Sequence, residues 1–125
     1  MTHTPLSVAA TYPLLAMVDD NVTWQPVIGA GKHVPTSGAR KGKASVGEFF
    51  KILGQSVSFT TFEPREFIAQ NDKVVCLVYT EATVRDTGRA FVSHEAQVWT
   101  FRDGKLARFQ NYLDTAAADA AHRAE

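Results

Sequence analysis

Apolar residues recur at helical spacing near the middle of the chain. The positions i, i+3, i+4 and i+7 are occupied by Val46, Phe49, Phe50 and Leu53. This spacing forms one apolar helix face. Ser45 followed by Glu48 has the form of a capping box, which typically begins a helix. Because Gly54 stands where a helix can end, the pattern predicts a helix from Ser45 to about Gly54.

Four segments after this helix are rich in Val, Phe, Thr, Tyr and Trp, the residue types that favour strands. They span residues 57–70, 73–85, 90–101 and 105–113. The connections between them are short and carry turn residues, and Asp103-Gly104 in the last one is a strong hairpin signal. Three successive hairpins predict a four-strand antiparallel meander.

The segments before the helix have weaker patterns. The first twenty residues are predicted to form two short helical pieces divided at Pro13, and the second piece ends at Asp19-Asp20. Residues 22–25 follow as a short strand. Residues 28–44 contain several glycines and prolines and are predicted to be a loop.

An alanine-rich segment at residues 115–123 is predicted to be a helix, with Asp114 or Thr115 as its N-cap. Helices followed by a curled antiparallel sheet indicate an α+β domain. The concave face of such a sheet has to be filled by side chains or by a ligand, and the alternation of residues along the strands does not decide which face is concave.

Composition narrows the function classes. The chain has 125 residues, which indicates one domain with its own core. Thirteen basic and thirteen acidic residues cancel, and this argues against a nucleic-acid partner. The single cysteine, Cys76, excludes an internal disulfide and a multi-cysteine zinc site. Since no apolar run could span a membrane and no signal-peptide pattern precedes the domain, we expect a cytoplasmic protein without a membrane partner.

Three stretches of sequence are characteristic of a known superfamily: FEPREFIAQNDKVV at 62–75, DTGRAF at 86–91 and VWTFRDGKLARFQNYLDT at 98–115. On these motifs the chain resembles the nuclear transport factor 2-like (NTF2-like) superfamily, and within it the SnoaL-like proteins, to which ketosteroid isomerase and limonene epoxide hydrolase are related. The resemblance implies a cone-shaped roll, in which the four-strand meander and the short first strand wrap around N-terminal helices. It also implies one domain over residues 1–125 with a shortened first helix, and a homodimer through the outer sheet face.

The catalytic residues of these relatives are not matched. The strand-borne aspartate of the epoxide hydrolases corresponds to Asn111, and their arginine and second aspartate correspond to Val78 and Thr80. The base of ketosteroid isomerase corresponds to Gln25, and its oxyanion-hole aspartate corresponds to Gln97. The resemblance therefore implies a protein that binds a small apolar molecule without the usual carboxylates.

The same correspondence makes the face of Phe109 and Asn111 the pocket face. The residues predicted to line the pocket are Trp24, Phe50, Phe62, Cys76, Val78, Thr80, Gln97, Trp99, Phe109 and Asn111. An ordinary closed core is the alternative interpretation of this set. A third possibility is an interaction module that uses the fold mainly to dimerise.

Glu95 is the candidate base if the protein is instead an isomerase, cyclase or lyase acting on an apolar carbonyl compound. It shares a strand face with Gln97, which would act with Asn111 as an oxyanion donor. The alternative for Glu95 is a carboxylate at the rim, paired with a basic loop residue. His94 lies on the opposite strand face, and because no histidine has metal-ligand spacing to an acid or to the cysteine, no metal or other cofactor is expected.

Overall fold

The computed structural model describes residues 14–123. After a helical segment at residues 14–17 the elements are β1 Val18–Gln25, β2 Arg40–Lys41, α1 Lys43–Ser56, β3 Val57–Gln70, β4 Lys73–Val84, β5 Ala90–Arg102, β6 Lys105–Tyr112 and α2 Thr115–His122. The helical piece predicted before Pro13 lies outside the described residues. Between residues 14 and 123, none of the helices has the length and apolarity needed to cross a membrane.

The strands form one six-stranded sheet in the order β2-β1-β6-β5-β4-β3. Strands β3 to β6 are the predicted antiparallel meander, while β1 pairs with β6 in parallel. The two-residue β2, which adds one strand to the prediction, pairs with β1. This α+β arrangement of a curled, unclosed sheet with helices confirms the predicted fold class.

The hairpins follow the predicted turn chemistry. Asn71 and Asp103 have φ values of 55° and 54°, in the left-handed region that Asn and Asp tolerate better than most residues. Register shifts interrupt the pairing of β3 with β4 between Phe59 and Thr61 and between Pro64 and Glu66. Such irregularities increase the twist of a strand, so they help the sheet to curl.

Two predicted boundaries are wrong. Strand β1 begins at Val18, inside the predicted helical piece, because Val18 pairs with Leu106 of β6 and is fully buried. Helix α1 begins at Lys43 with Gly42 as its N-cap, and no side chain caps it. The predicted capping box of Ser45 does not form, since the backbone N–H of Ser45 already donates to the Gly42 carbonyl oxygen at 3.1 Å.

The main core lies where α1 packs on β1 and β6. Its buried members are Val18, Val22, Trp24, Val46, Phe49, Leu106 and Phe109. A second cluster joins α2 to the start of the meander through Val57, Ala82, Val84 and Ala121. Leu53 of α1 packs against both clusters, so the two helices cover the same face of the sheet.

Candidate functional site

A cavity of about 450 Å³ lies between this sheet face, the two helices and the loop after β1. Most residues predicted to line a pocket do line it: Trp24, Phe50, Phe62, Cys76, Thr80, Gln97, Trp99, Phe109 and Asn111. Val78 is not among the residues that line this cavity. Although Val78 is buried on the same face, it sits directly opposite Glu95 on the neighbouring strand and is absent from the cavity wall.

Aromatic rings form one wall of the cavity. Trp24 stacks on Phe109 with ring centroids 4.1 Å apart, and Trp99 meets Phe109 edge-on at 4.6 Å. Phe50 of α1 lies with its ring centroid 5.7 Å from that of Trp24. The parallel pairing of β1 with β6 produces this arrangement, because it sets Trp24 beside Phe109 in register. Trp24 and Phe109 are buried in this arrangement, and the partly exposed rings of Phe50 and Trp99 provide its accessible apolar surface.

Polar side chains converge on Glu95 within this apolar surrounding. Asn111 Nδ2 donates to Glu95 Oε1 at 3.0 Å, and Gln97 Nε2 donates to the same oxygen at 3.2 Å. Thr80 Oγ1 lies 3.4 Å from Glu95 Oε2 and 3.3 Å from the Ser93 carbonyl oxygen. These groups meet because Gln97 and Asn111 are directly opposite across β5 and β6.

Glu95 is 8 % exposed, and the three side-chain partners of its carboxyl are all neutral. Burial raises the pKa of Glu95 above its ordinary value, and the hydrogen bonds from Asn111, Gln97 and Thr80 offset that rise only in part. The interpretation of Glu95 as a rim carboxylate paired with a basic loop residue is therefore wrong. A raised pKa brings a carboxyl group closer to neutral pH. A group whose pKa lies near the working pH can both take and return a proton.

Two polar atoms in the cavity wall have no hydrogen-bond partner within the part of the chain that the structure describes. They are Asn111 Oδ1 and Trp24 Nε1, on side chains that are 8 % and 1 % exposed. The oxygen can only accept and the indole N–H can only donate. An unpaired buried polar group costs roughly 1–3 kcal/mol, and both atoms are shielded from solvent.

A family match accounts for the fold around this cavity. Residues 13–109 match the family model of the SnoaL-like domain. The chain belongs to the SnoaL-like family. The match confirms the resemblance inferred from the strand and turn motifs. No curated protein matches this SnoaL-like chain at a significant level.

Solved structures place the SnoaL-like chain among NTF2-like folds. An NTF2-like protein from Burkholderia xenovorans is 25% identical, with a TM-score of 0.82 over 92% of this chain and 85% of that chain. A proposed isomerase from Rhodopseudomonas palustris is 28% identical, with a TM-score of 0.78 over 94% and 88%. TerC, co-crystallised with polyporic acid, is 26% identical, with a TM-score of 0.71 over 88% and 83%.

Some residues of the cavity wall were missed by the sequence analysis of this SnoaL-like chain. The loop after β1 contributes Val34 and Thr36, and α2 contributes Ala118 and His122. The sequence predicts the loop and the helix but carries no signal for where they pack. His122 packs beside Phe91 of β5, with the ring centroids 6.4 Å apart. These residues are distant in sequence, so the local pattern does not predict this contact.

Other residues considered as candidates lie in structural positions. The Asp114 side chain accepts a hydrogen bond from the Ala117 backbone N–H at 3.0 Å, which confirms the predicted helix cap. His94 is exposed, on the sheet face opposite to Glu95. Gln25 does not line the cavity, and its Oε1 accepts a hydrogen bond from Arg108 at 3.3 Å. Among residues 14–123, no group of three His, Cys, Asp or Glu side chains could hold a metal ion.

Proposed function

We propose that this SnoaL-like protein binds a small, largely apolar molecule in the cavity. The observation that carries the proposal is the wall itself: stacked aromatic rings beside one cluster of polar groups around Glu95. Ligand sites in proteins commonly have volumes of about 300–1,000 Å³, with apolar walls and a few placed polar groups. A flat, largely apolar molecule with a polar group that reaches the Glu95 cluster fits this distribution.

One relative supports the proposal. TerC is 26% identical to this chain and was co-crystallised with polyporic acid. The chains overlap over more than four-fifths of each. Polyporic acid is therefore a reasonable first ligand to test here.

Tryptophan fluorescence can test binding directly, because the two tryptophans of the chain, Trp24 and Trp99, both line the cavity. We expect polyporic acid to quench their emission with saturation. A Cys76→Phe variant places a large side chain in the cavity and should weaken binding at least about tenfold, which corresponds to the loss of about 1.4 kcal/mol.

The matched control is Val75→Phe, since Val75 is the neighbouring residue on β4 and its side chain points to the outer face. This variant should bind as the wild type does. Equal weakening by both substitutions, or no saturable quenching of the wild type, would overturn the binding proposal.

A second candidate function is proton transfer on an apolar carbonyl compound, as in an isomerase, cyclase or lyase. The observation that favours it is Glu95, a buried carboxyl with a raised pKa and only neutral partners. Glu95 would take a proton from the carbon next to the carbonyl and then return it. Each amide of Gln97 and Asn111 has a second N–H besides the one that bonds Glu95, and it could donate to the enolate oxygen.

Hydrogen–deuterium exchange at the α-carbon of 2-tetralone, followed by NMR in D2O, tests this chemistry without knowledge of the natural substrate. We expect the wild type to accelerate the exchange and Glu95→Gln to lose about 10²–10⁴-fold of the rate, the usual contribution of a general base. Binding of polyporic acid should survive in the same variant. An unchanged exchange rate would exclude Glu95 as the base.

The resemblance implies that the relatives' carboxylates correspond here to Asn111, Thr80 and Gln97, and this is the reason to rank binding above catalysis. A homodimer through the outer sheet face also remains a proposal, supported by the exposed side chains of Val92 and Tyr112 on that face. A cytoplasmic location likewise stays a prediction.

A further inference from the structure

Besides Glu95 and Cys76, His122 brings a titratable side chain to the cavity, at the end away from the aromatic wall. It is the last residue of α2 and is half-buried in the cavity lining. Its Nδ1 lies 2.8 Å from the carbonyl oxygen of Ala118. A carbonyl oxygen can only accept a hydrogen bond, so Nδ1 carries the hydrogen of the neutral ring.

The bond at Nδ1 determines what the other ring nitrogen can do. In the neutral ring Nε2 is then an acceptor, and no residue between 14 and 123 forms a hydrogen bond with it. The Nδ1–H bond to the Ala118 carbonyl also satisfies one of the free carbonyl groups at the helix C-terminus. That structural role explains the bond to Ala118 but does not require the ring to lie in the wall of a cavity.

The turn between β4 and β5 holds this end of α2 in place. Thr87 Oγ1 donates to the Ala121 carbonyl oxygen at 2.6 Å. Arg89 Nη1 lies 3.2 Å from the carbonyl oxygen of Ala120 and 2.9 Å from that of Arg123. The His122 ring is therefore fixed by its own helix and by a neighbouring turn, as a ligand-binding group needs to be.

Two of the polar groups in the cavity lining, His122 and Glu95, lie at separate places along β5. His122 packs beside Phe91, and Glu95 follows four residues later on the same strand face, a spacing of roughly 13 Å along a strand. Leu113 and Phe59 are among the apolar residues that complete the wall. A ligand that contacts both polar groups must therefore be long and mostly apolar.

We propose that His122 Nε2 is a second ligand-binding group, so that the cavity selects an elongated aromatic molecule with a hydroxyl at each end. One hydroxyl lies at the Glu95 cluster, and the other donates a hydrogen bond to Nε2 of His122. The inference rests on the proposed binding function. It specifies the class of ligand further, by its elongated shape and by the position of its polar groups.

Two rigid probes test this assignment by isothermal titration calorimetry: stilbene with a para-hydroxyl on one ring, and stilbene with a para-hydroxyl on both rings. In the wild type the second hydroxyl should strengthen binding about three- to tenfold, the worth of one hydrogen bond. In His122→Phe, which keeps an aromatic ring of similar size, this gain should disappear while binding of the monohydroxyl probe is retained. The symmetric probe can bind in two equivalent orientations, which gives it a statistical gain in affinity. This gain is the same in wild type and in His122→Phe, so it cancels when the two proteins are compared.

His33→Phe is the matched control, because His33 is exposed on the loop after β1 and should keep the wild-type gain. If the second hydroxyl gives the same gain in wild type and in His122→Phe, or gives none in the wild type, the assignment of His122 is overturned and the binding function stands. If neither probe binds the wild type, the binding function fails for this ligand class and the inference fails with it. A His122→Gln variant, which can still accept a hydrogen bond, should recover part of the gain if His122→Phe unfolds.

Discussion

Glu95 is a carboxyl group surrounded by neutral donors in a mostly apolar cavity. Burying an ionised group without a countercharge costs stability, even when hydrogen bonds offset part of the cost. Proteins accept such costs most often at functional sites. The sequence could place Glu95 on the face of Gln97 by strand parity, but it could not show that Asn111 bonds it. That contact depends on the register of β5 with β6, which shifts between Thr100 and Phe101.

The pH dependence of stability should reveal the raised pKa of Glu95. The folded protein holds this proton more tightly than the unfolded chain, in which the pKa is about 4.3. The stabilising contribution is therefore complete below that value and is lost as the pH rises through the higher folded pKa. At pH 8 we expect Glu95→Gln to be more stable than the wild type by about 1 kcal/mol or more.

Urea unfolding of both proteins between pH 4 and pH 8 measures this difference. Glutamine can keep the two bonds to the amides of Asn111 and Gln97, because its Oε1 accepts them as the carboxylate oxygen does. The advantage of Glu95→Gln should shrink towards pH 4. A variant that is less stable than the wild type at pH 8 would contradict the raised pKa.

The elements of the fold were predictable where local chemistry decides them. The meander follows its predicted boundaries closely, since alternation and turn residues such as Asp103 act over a few positions. Predictions from local sequence failed where tertiary contacts determine the element boundary. Val18 belongs to β1, for example, because it pairs with Leu106. Likewise, α1 begins at Lys43, directly after Gly42. The φ of Gly42 is 92°, a conformation that glycine adopts readily, and it redirects the chain from β2 into the helix.

Helix α2 should depend on its bond from the β4–β5 turn. Thr87→Val removes the hydroxyl that donates to the Ala121 carbonyl oxygen and keeps the shape of the side chain. We expect a loss of about 1 kcal/mol in the free energy of unfolding. Hydrogen exchange of the α2 backbone amides should accelerate, because the helix end opens more often.

Thr60→Val is the matched control for this substitution. Thr60 Oγ1 also donates to a backbone carbonyl, that of Glu81 at 3.2 Å, but at an exposed position. This variant should leave stability and α2 exchange near the wild-type values. Equal effects of the two substitutions would mean that the Thr87 bond does not anchor the helix.

At the scale of the whole molecule, the cavity was the part least accessible to sequence reasoning. Its wall combines both helices, five strands and the loop after β1, and its volume depends on how strongly the sheet curls. The family resemblance implied a pocket and most of the aromatic wall. The contributions of Thr36 and His122 could not be predicted, because long-range packing brings their segments to the sheet.

The outer sheet face gives a prediction for the assembly. Val92 is 49% exposed on that face, beside a shallow groove that includes Tyr79, His94 and Tyr112. If a second copy covers this surface, Val92→Glu should shift the protein from dimer to monomer in sedimentation velocity experiments, because it places a charge in an apolar contact. Met17→Glu, at an exposed position before β1 and off the sheet, should remain dimeric. A monomeric wild type would contradict the dimer.

Native mass spectrometry of wild type and Cys76→Phe, side by side, tests most directly whether the cavity holds a ligand. Both proteins are measured as purified from the native host and after incubation with the dihydroxylated stilbene. We predict that the wild type carries a small-molecule adduct that is released on denaturation, and that Cys76→Phe carries much less of it. A wild type that takes up no adduct in either preparation, or an adduct retained equally by Cys76→Phe, would contradict ligand binding in this cavity.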